Sequence, residues 1–249
     1  MITCRNESQG NGIVSKIKTE LGESCKVSFG VMDLQSISSI KSFVDTYVKS
    51  KRPLDVLINN AGIMACPHGK TTDGFEKQLG VNYIGHFVLT TLLLHVLAKS
   101  GTASNKSRVV NVSSLANWLY PPPEGIFFDD LGGDRYYNKW VHYGQSKLAN
   151  ILFARQLNKV CQDAGHNVIS MALHPGVVMG TQLYRQNGFL TLLAEQVGLL
   201  WSSPKQLIAN MTPYMKSNEE GAATSLFCAL SPSVSDGKYY ADCHETEEY

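Results

Sequence analysis

The apolar positions of this chain change rhythm repeatedly, from helical spacing to short unbroken runs and back, and each change predicts an element. A strand end over 1–4 precedes a helix over 8–21, where Ile13, Val14, Ile17 and Leu21 fall at helical spacing before Gly22. The run 25–34 reads as a buried strand. Ser36 then caps a helix that carries Ile37, Ile40, Phe43, Val44, Tyr47 and Val48 on one stripe. After Pro53, 54–58 is a short apolar strand, and 72–98 supplies one long helix or two abutting ones. A strand over 108–112 follows. Residues 118–137 are rich in Pro, Gly, Asp and Tyr and show no period, so they form an excursion before a helix that runs from about Val141 to Ala164. A strand over 168–173, a variable segment over 181–215, a helix over 218–230 and a strand over 238–241 complete the pattern. Such alternation predicts an α/β fold, a parallel sheet with helices on both faces.

The 249 residues, 43% of them apolar, suit one domain with a sizeable core, and no linker interrupts 1–249. A net charge of +1 without a long basic run gives no footprint for nucleic acid, so small ligands are the expected partners. The six cysteines are scattered without metal-ligand spacing, and buried free thiols are the expectation; no metal is predicted. The apolar stretches 87–98 and 189–201 are too short to span a bilayer, and the first residues lack the apolar run of a signal peptide. The chain as written reads as soluble, with a cytoplasmic or endoplasmic-reticulum-associated location if an N-terminal extension exists.

The chemistry lies in spacing. Tyr143 and Lys147 stand at i and i+4 and share a helix face, so the ammonium sits beside the phenol. An unperturbed phenol titrates near ~10, and a neighbouring positive charge pulls that down and makes tyrosine an acid or base. Around this pair stand Asn59-Asn60-Ala61-Gly62 after an apolar strand, Asn82 in Val81-Asn82-Tyr83-Ile84-Gly85-His86-Phe87, Asn111-Val112-Ser113-Ser114, and His174-Pro175-Gly176. In order and spacing these motifs resemble the short-chain dehydrogenase/reductase family, in its retinol-dehydrogenase-like and WW-domain-oxidoreductase-like branch, from Met1 to about Ala241.

The resemblance implies a three-layer, Rossmann-like, doubly wound sheet and a hydride-transfer site. Tyr143 would be the acid/base, Lys147 would lower its pKa and bond the nicotinamide ribose, Ser114 rather than Ser113 would hold the substrate oxygen, and Asn82 would support a water relay. Asn60, Ala61 and Gly62 would meet the cofactor, as would Asp33 and Leu34 at the adenine and Pro175, Gly176 and Thr181 at the carboxamide. Thr181 lies one residue beyond its usual place. Arg5 follows the expected second strand, where an arginine accepts the 2'-phosphate of NADP, so NADP(H) is the expected cofactor. Neither His142 nor His174 is assigned catalysis or metal, since helix neighbours at i and i+1 diverge and no further ligands accompany them.

One family feature has no counterpart in this sequence. The opening strand and T-G-x-x-x-G-I-G turn, whose N–H groups meet the pyrophosphate, should precede Cys4-Arg5-Asn6. The expectation is therefore a fold lacking its first strand and helix, from a shortened gene model or splice form, with a gap about 10 Å wide beside strand 54–58. Otherwise the fold rearranges.

The segment 182–201, with Leu183, Tyr184, Phe189, Leu190 and Trp201, falls where the family places its substrate lid, which suits an apolar retinoid, steroid or lipid-like alcohol or carbonyl and allows membrane-surface contact. A homo-oligomer is compatible with the sequence. The rival readings are a non-catalytic variant with an interaction or regulatory role, and a sugar epimerase, which Asn-Asn-Ala-Gly and the short C-terminal part oppose.

Overall fold

The computed structural model describes residues 1–178, 181, 183 and 215–247. Strand β1 (Ile2–Cys4) leads into α1 (Glu7–Leu21), whose first turn is capped by the Asn6 side chain accepting from the Gln9 N–H at 2.9 Å. Gly22, at φ +93°, ends that helix. Then come β2 (Phe29–Val31), α2 (Ile37–Lys49) capped by Ser36, and β3 (Val56–Asn59). A single turn, α3 (Lys77–Leu79), passes through a π turn at Gly80–Ile84 into α4 (Gly85–Ser100). Strand β4 (Ser107–Val112), the short α5 (Ala116–Leu119), a 3-10 turn at Phe128–Asp130, α6 (Lys139–Asp163) and β5 (Val168–Leu173) follow. The chain closes with β6 (Val177–Val178), β7 (Met215–Lys216), α7 (Asn218–Leu230), β8 (Tyr239–Ala241) and β9 (His244–Thr246).

The main sheet has the order β3-β4-β5-β8-β9, parallel except for the β8–β9 hairpin. Period-two alternation along its strands sorts side chains between two helical layers. Val109 and Val168 join Leu97, Phe153, Leu157 and Cys161 on the α4 and α6 face, whereas Val110, Val112, Ile169, Met171 and Leu173 pack with Cys228 and Ala229 of α7. A third cluster, Met32, Ile40, Val44 and Tyr47 with Leu89 and Leu93, fastens α2 to α4.

Among the described residues β1 and β2 form a parallel sheet of their own, and β3 has its one ladder partner in β4. That break stands where the sequence reading expects a gap beside strand 54–58. Its cost shows in exposure: every residue of β5 is buried, while Ile58 of β3 is 39% exposed.

Two elements differ from their sequence-based expectation. The buried strand over 25–34 contracts to Phe29–Val31, partly exposed, because an outer strand with one neighbour gains neither a second ladder nor full cover. The β8–β9 hairpin carried no turn signal: Asp242 and Cys243 take φ +49° and +62°, the conformation for which Asn-Gly is the usual choice. The helix expected over 72–98 is present as the stretch Lys77–Ser100, of which the apolar run 87–98 is one part. Its 24 residues suffice by length and composition to cross a bilayer, yet Leu89, Leu93 and Leu97 are spent on the core beside α2, α6 and β4. Except for Leu183, the lid segment 182–201 lies outside the described residues.

Candidate functional site

Asn138 starts α6 by accepting the N–H groups of Trp140 and Val141, which sets the helix phase. From that phase Tyr143, Ser146, Lys147 and Asn150 are all buried, against the carboxyl end of β4. The Lys147 Nζ lies 5.6 Å from the Tyr143 ring centroid and donates to the Val112 carbonyl at 2.9 Å; Asn150 Nδ2 donates to the same oxygen at 3.2 Å. In return the Ser113 hydroxyl donates to the Lys147 main-chain carbonyl at 2.7 Å. Tyr143 is 3% exposed and Lys147 5%. Burial pulls the Lys147 ammonium down to about 8, since a low-dielectric surrounding disfavours its charge.

Ser113 and Ser114 therefore divide their work. Ser113 is buried and its O–H is committed to α6, whereas Ser114, partly exposed, accepts the Ala116 N–H at 3.2 Å, and its own hydrogen meets no acceptor among the described residues.

The π turn carries Asn82, and widened turns of this kind are often found at functional sites. Its amide clamps Ile63 in both directions, accepting the N–H and donating to the carbonyl at 2.9 Å each, and donates to Ser146 Oγ at 2.9 Å. The loop after β3 is thus tied to the tyrosine helix. Gly62 fits at this junction because a Cβ there would stand 3.2 Å from Asn82 Oδ1 and 3.7 Å from Lys147 Nζ. His86, one turn beyond Asn82, donates from Nδ1 to the Asn82 carbonyl at 2.9 Å. Burial lowers its pKa to about 4, opposed by that bond and aided by the Lys147 charge, so the ring is neutral at physiological pH.

The other predicted residues follow the carboxyl ends of their parallel strands, the edge at which α/β sheets take ligands. Arg5 is exposed just after β1. Asp33 and Leu34 follow β2. The Asp33 carboxylate accepts the Gln35 N–H, a turn-forming bond, and Leu34 lies against the start of α4, where a Cβ on Gly85 would come within 2.8 Å of its carbonyl. Asn60 and Ala61 are exposed after β3. Pro175 and Gly176 follow β5, with Gly176 at φ +78° and its N–H donating to His174 Nδ1. Thr181 is exposed and donates locally to the Val178 carbonyl at 3.4 Å. The structure brings Tyr143, Lys147, Asn82 and Gly62 into one cluster by direct contact; the rest share the edge.

His142 is buried with its ring against Phe127, Tyr136 and Tyr137, and Nδ1 donates to the Asn138 carbonyl. That is a packing role. Sequence reasoning passed over Ser146 and His86, although spacing pointed to both: Ser146 lies between Tyr143 and Lys147, and His86 is i+4 from Asn82 on a helix.

Residues 1–188 match the family model described as short chain dehydrogenase. The chain belongs to the short-chain dehydrogenase family. It is 41% identical over 247 residues to retinol dehydrogenase 12 of Bos taurus, covering 98% of this chain and 70% of the relative. To the polyprenol dehydrogenase of Homo sapiens it is 38% identical over 251 residues, covering 99% of this chain and 70% of that one. Relatives of this kind put it in the retinol-dehydrogenase-like branch of short-chain dehydrogenases. Its fold is shared with an NADPH-bound carbonyl reductase from chicken fatty liver, at TM-score 0.60 and 19% identity over 95% of this chain and 82% of the other. An α/β oxidoreductase fold of this family explains why the polar cluster gathers at the strand ends.

Proposed function

We propose that this short-chain dehydrogenase interconverts an alcohol and a carbonyl on an apolar, retinoid-, steroid- or lipid-like substrate, using NADP(H). The observation that carries the reading is the buried Tyr143–Lys147 pair, with the ammonium 5.6 Å from the ring and bonded to the end of the strand that leads to Ser114. Tyr143 gives a proton to the substrate oxygen in reduction and takes it back in oxidation. Lys147, still largely charged at neutral pH, favours the phenolate. Ser114 donates to the same oxygen and orients it. Asn82 has its side chain fully engaged, so it serves by fixing Ile63 and Ser146, and a water relay would use its main-chain carbonyl beside His86.

A bound nicotinamide would supply the hydride in reduction and accept it in oxidation. Gly62, with its small space beside Asn82 and Lys147, suits the ribose end, and Asn60, Ala61, Pro175, Gly176 and Thr181, which follow their strands toward the same edge, would contact the rest of the nicotinamide half. Asp33 and Leu34 suit the adenine, and the exposed Arg5 suits a 2'-phosphate. The NADPH-bound reductase with the same fold supports that choice, and relatives named for retinol and polyprenol support an apolar substrate.

A second reading, a non-catalytic variant with an interaction or regulatory role, is favoured by one observation: β3 has a single ladder neighbour, and no glycine-rich turn stands beside it among the described residues. NADPH separates the two. At a hundredfold excess over Kd, binding should add about 2.7 kcal/mol, or roughly 5–10 °C in melting temperature for a chain of this size. Tyr143→Phe should retain that shift and lose activity by about a hundredfold or more. Turnover like the parent's in Tyr143→Phe refutes the catalytic assignment; an NADPH-insensitive melting temperature favours the second reading.

A further inference from the structure

We infer that Gln78 is a positioning residue: it locks the loop after β3 to the first turn of α6, so that the wall beside Gly62 and the helix bearing Tyr143 hold one relative placement. The inference rests on the site reading above for its effect on turnover, though the lock itself is read from geometry.

Gln78 is wholly buried in α3, one turn before Asn82. Its Oε1 accepts the Ala65 N–H at 2.7 Å, while Nε2 donates to the Lys139 carbonyl at 2.9 Å and to the Tyr137 hydroxyl at 3.2 Å. Tyr137 passes the connection on by donating to the Cys66 carbonyl at 2.6 Å. Acceptor and donors thus point in different directions, to the loop and to the helix start, which only an amide at this place can do. Ala65 needs the help: it holds φ +47°, a left-handed conformation that alanine rarely adopts without external restraint. Asn82 clamps the same loop two residues earlier, at Ile63, and the same helix further along, at Ser146. Two clamps a helical turn apart prevent the loop from pivoting about either one. Gln78 touches no reacting group, and its influence passes through the backbone it holds.

Gln78→Glu makes the test reversible within one protein. Protonated, glutamic acid keeps an acceptor for Ala65 and an O–H for Lys139; ionised, it has no donor and faces two oxygens. Glu76 and Lys77 at the start of its own helix, Cys66, His68 and Tyr137 from the packed loops, and His142 and Lys139 of α6 are the titratable groups nearby among the described residues, and burial should raise the pKa of the introduced acid. The ratio of variant to parent kcat should lie near one at low pH and fall about tenfold or more as the acid ionises, since small misplacements of reacting groups are costly. KM for the substrate should change less than kcat. Hydrogen exchange supplies a readout without turnover: in Gln78→Leu, and in Gln78→Glu at high pH, the amides of Ala65 and of the α6 first turn should lose protection together, with β4 and β5 unchanged.

A ratio flat with pH, or deprotection confined to one side or spread through the sheet, overturns the inference. If the parent chain neither binds NADPH nor turns over, the functional reading fails and the coupled exchange alone decides the lock. Should Gln78→Leu fail to fold, exchange in Gln78→Glu at low and high pH decides between the same two outcomes.

Discussion

Replacing Lys147 with methionine should stabilise this fold while removing its chemistry. In the folded chain, burial holds the Lys147 pKa at about 8 against 10.5 for the free group, so between those values the unfolded chain binds more protons and stability rises with pH. Below that window the buried charge costs about 3 kcal/mol, at 1.36 kcal/mol for each unit of displacement. Methionine matches the stem in volume and carries no charge. It forfeits one hydrogen bond, worth about 1 kcal/mol, but the Val112 carbonyl is not orphaned because Asn150 Nδ2 still donates to it. The net gain is about 2 kcal/mol at pH 7, a rise of roughly 4–8 °C in melting temperature for a domain of this length. By pH 9.5 the parent has shed much of its penalty, and the advantage should shrink to a few tenths of a kcal/mol. Thermal and urea unfolding of both chains at pH 7 and 9.5, without cofactor, measures this directly. A variant less stable than the parent at pH 7, or an advantage that does not change with pH, would refute the argument that the charge is held at a cost.

Two further outcomes follow from the site. Arg5→Glu should move the ratio of kcat/KM values from NADPH toward NADH, because a carboxylate repels a 2'-phosphate and accepts from a 2'-hydroxyl; an unchanged ratio removes Arg5 from the cofactor site. Asn82→Ala leaves the Ile63 N–H and carbonyl without their partners in a half-buried loop and should cost about 2–4 kcal/mol in urea unfolding. A loss below about 0.5 kcal/mol, the scale of an ordinary surface substitution, would mean that the clamp contributes nothing to the fold.

Helix and strand order, the α/β layering and the retinol-dehydrogenase-like family were legible in the chain itself. Spacing is the reason: Tyr143 and Lys147 must share a face at i and i+4, and apolar runs at 108–112 and 168–173 can only be interior strands between helices. What spacing cannot express is which side chain meets which across the fold. The family resemblance implied Ser114 rather than Ser113 without a physical reason, and the structure supplies one: the Ser113 hydroxyl donates to the Lys147 carbonyl, whereas Ser114 accepts the Ala116 N–H. Gln78 looked like an ordinary helix residue, yet it joins three segments far apart in the chain. The turn at Asp242–Cys243 was silent for a similar reason, since its left-handed backbone is imposed by β8–β9 pairing and not requested by its residues. Local sequence determines periodicity and the identity of the reactive groups; burial, and with it the depressed Lys147 pKa and the committed hydrogen bonds, arises only when distant segments exclude water together.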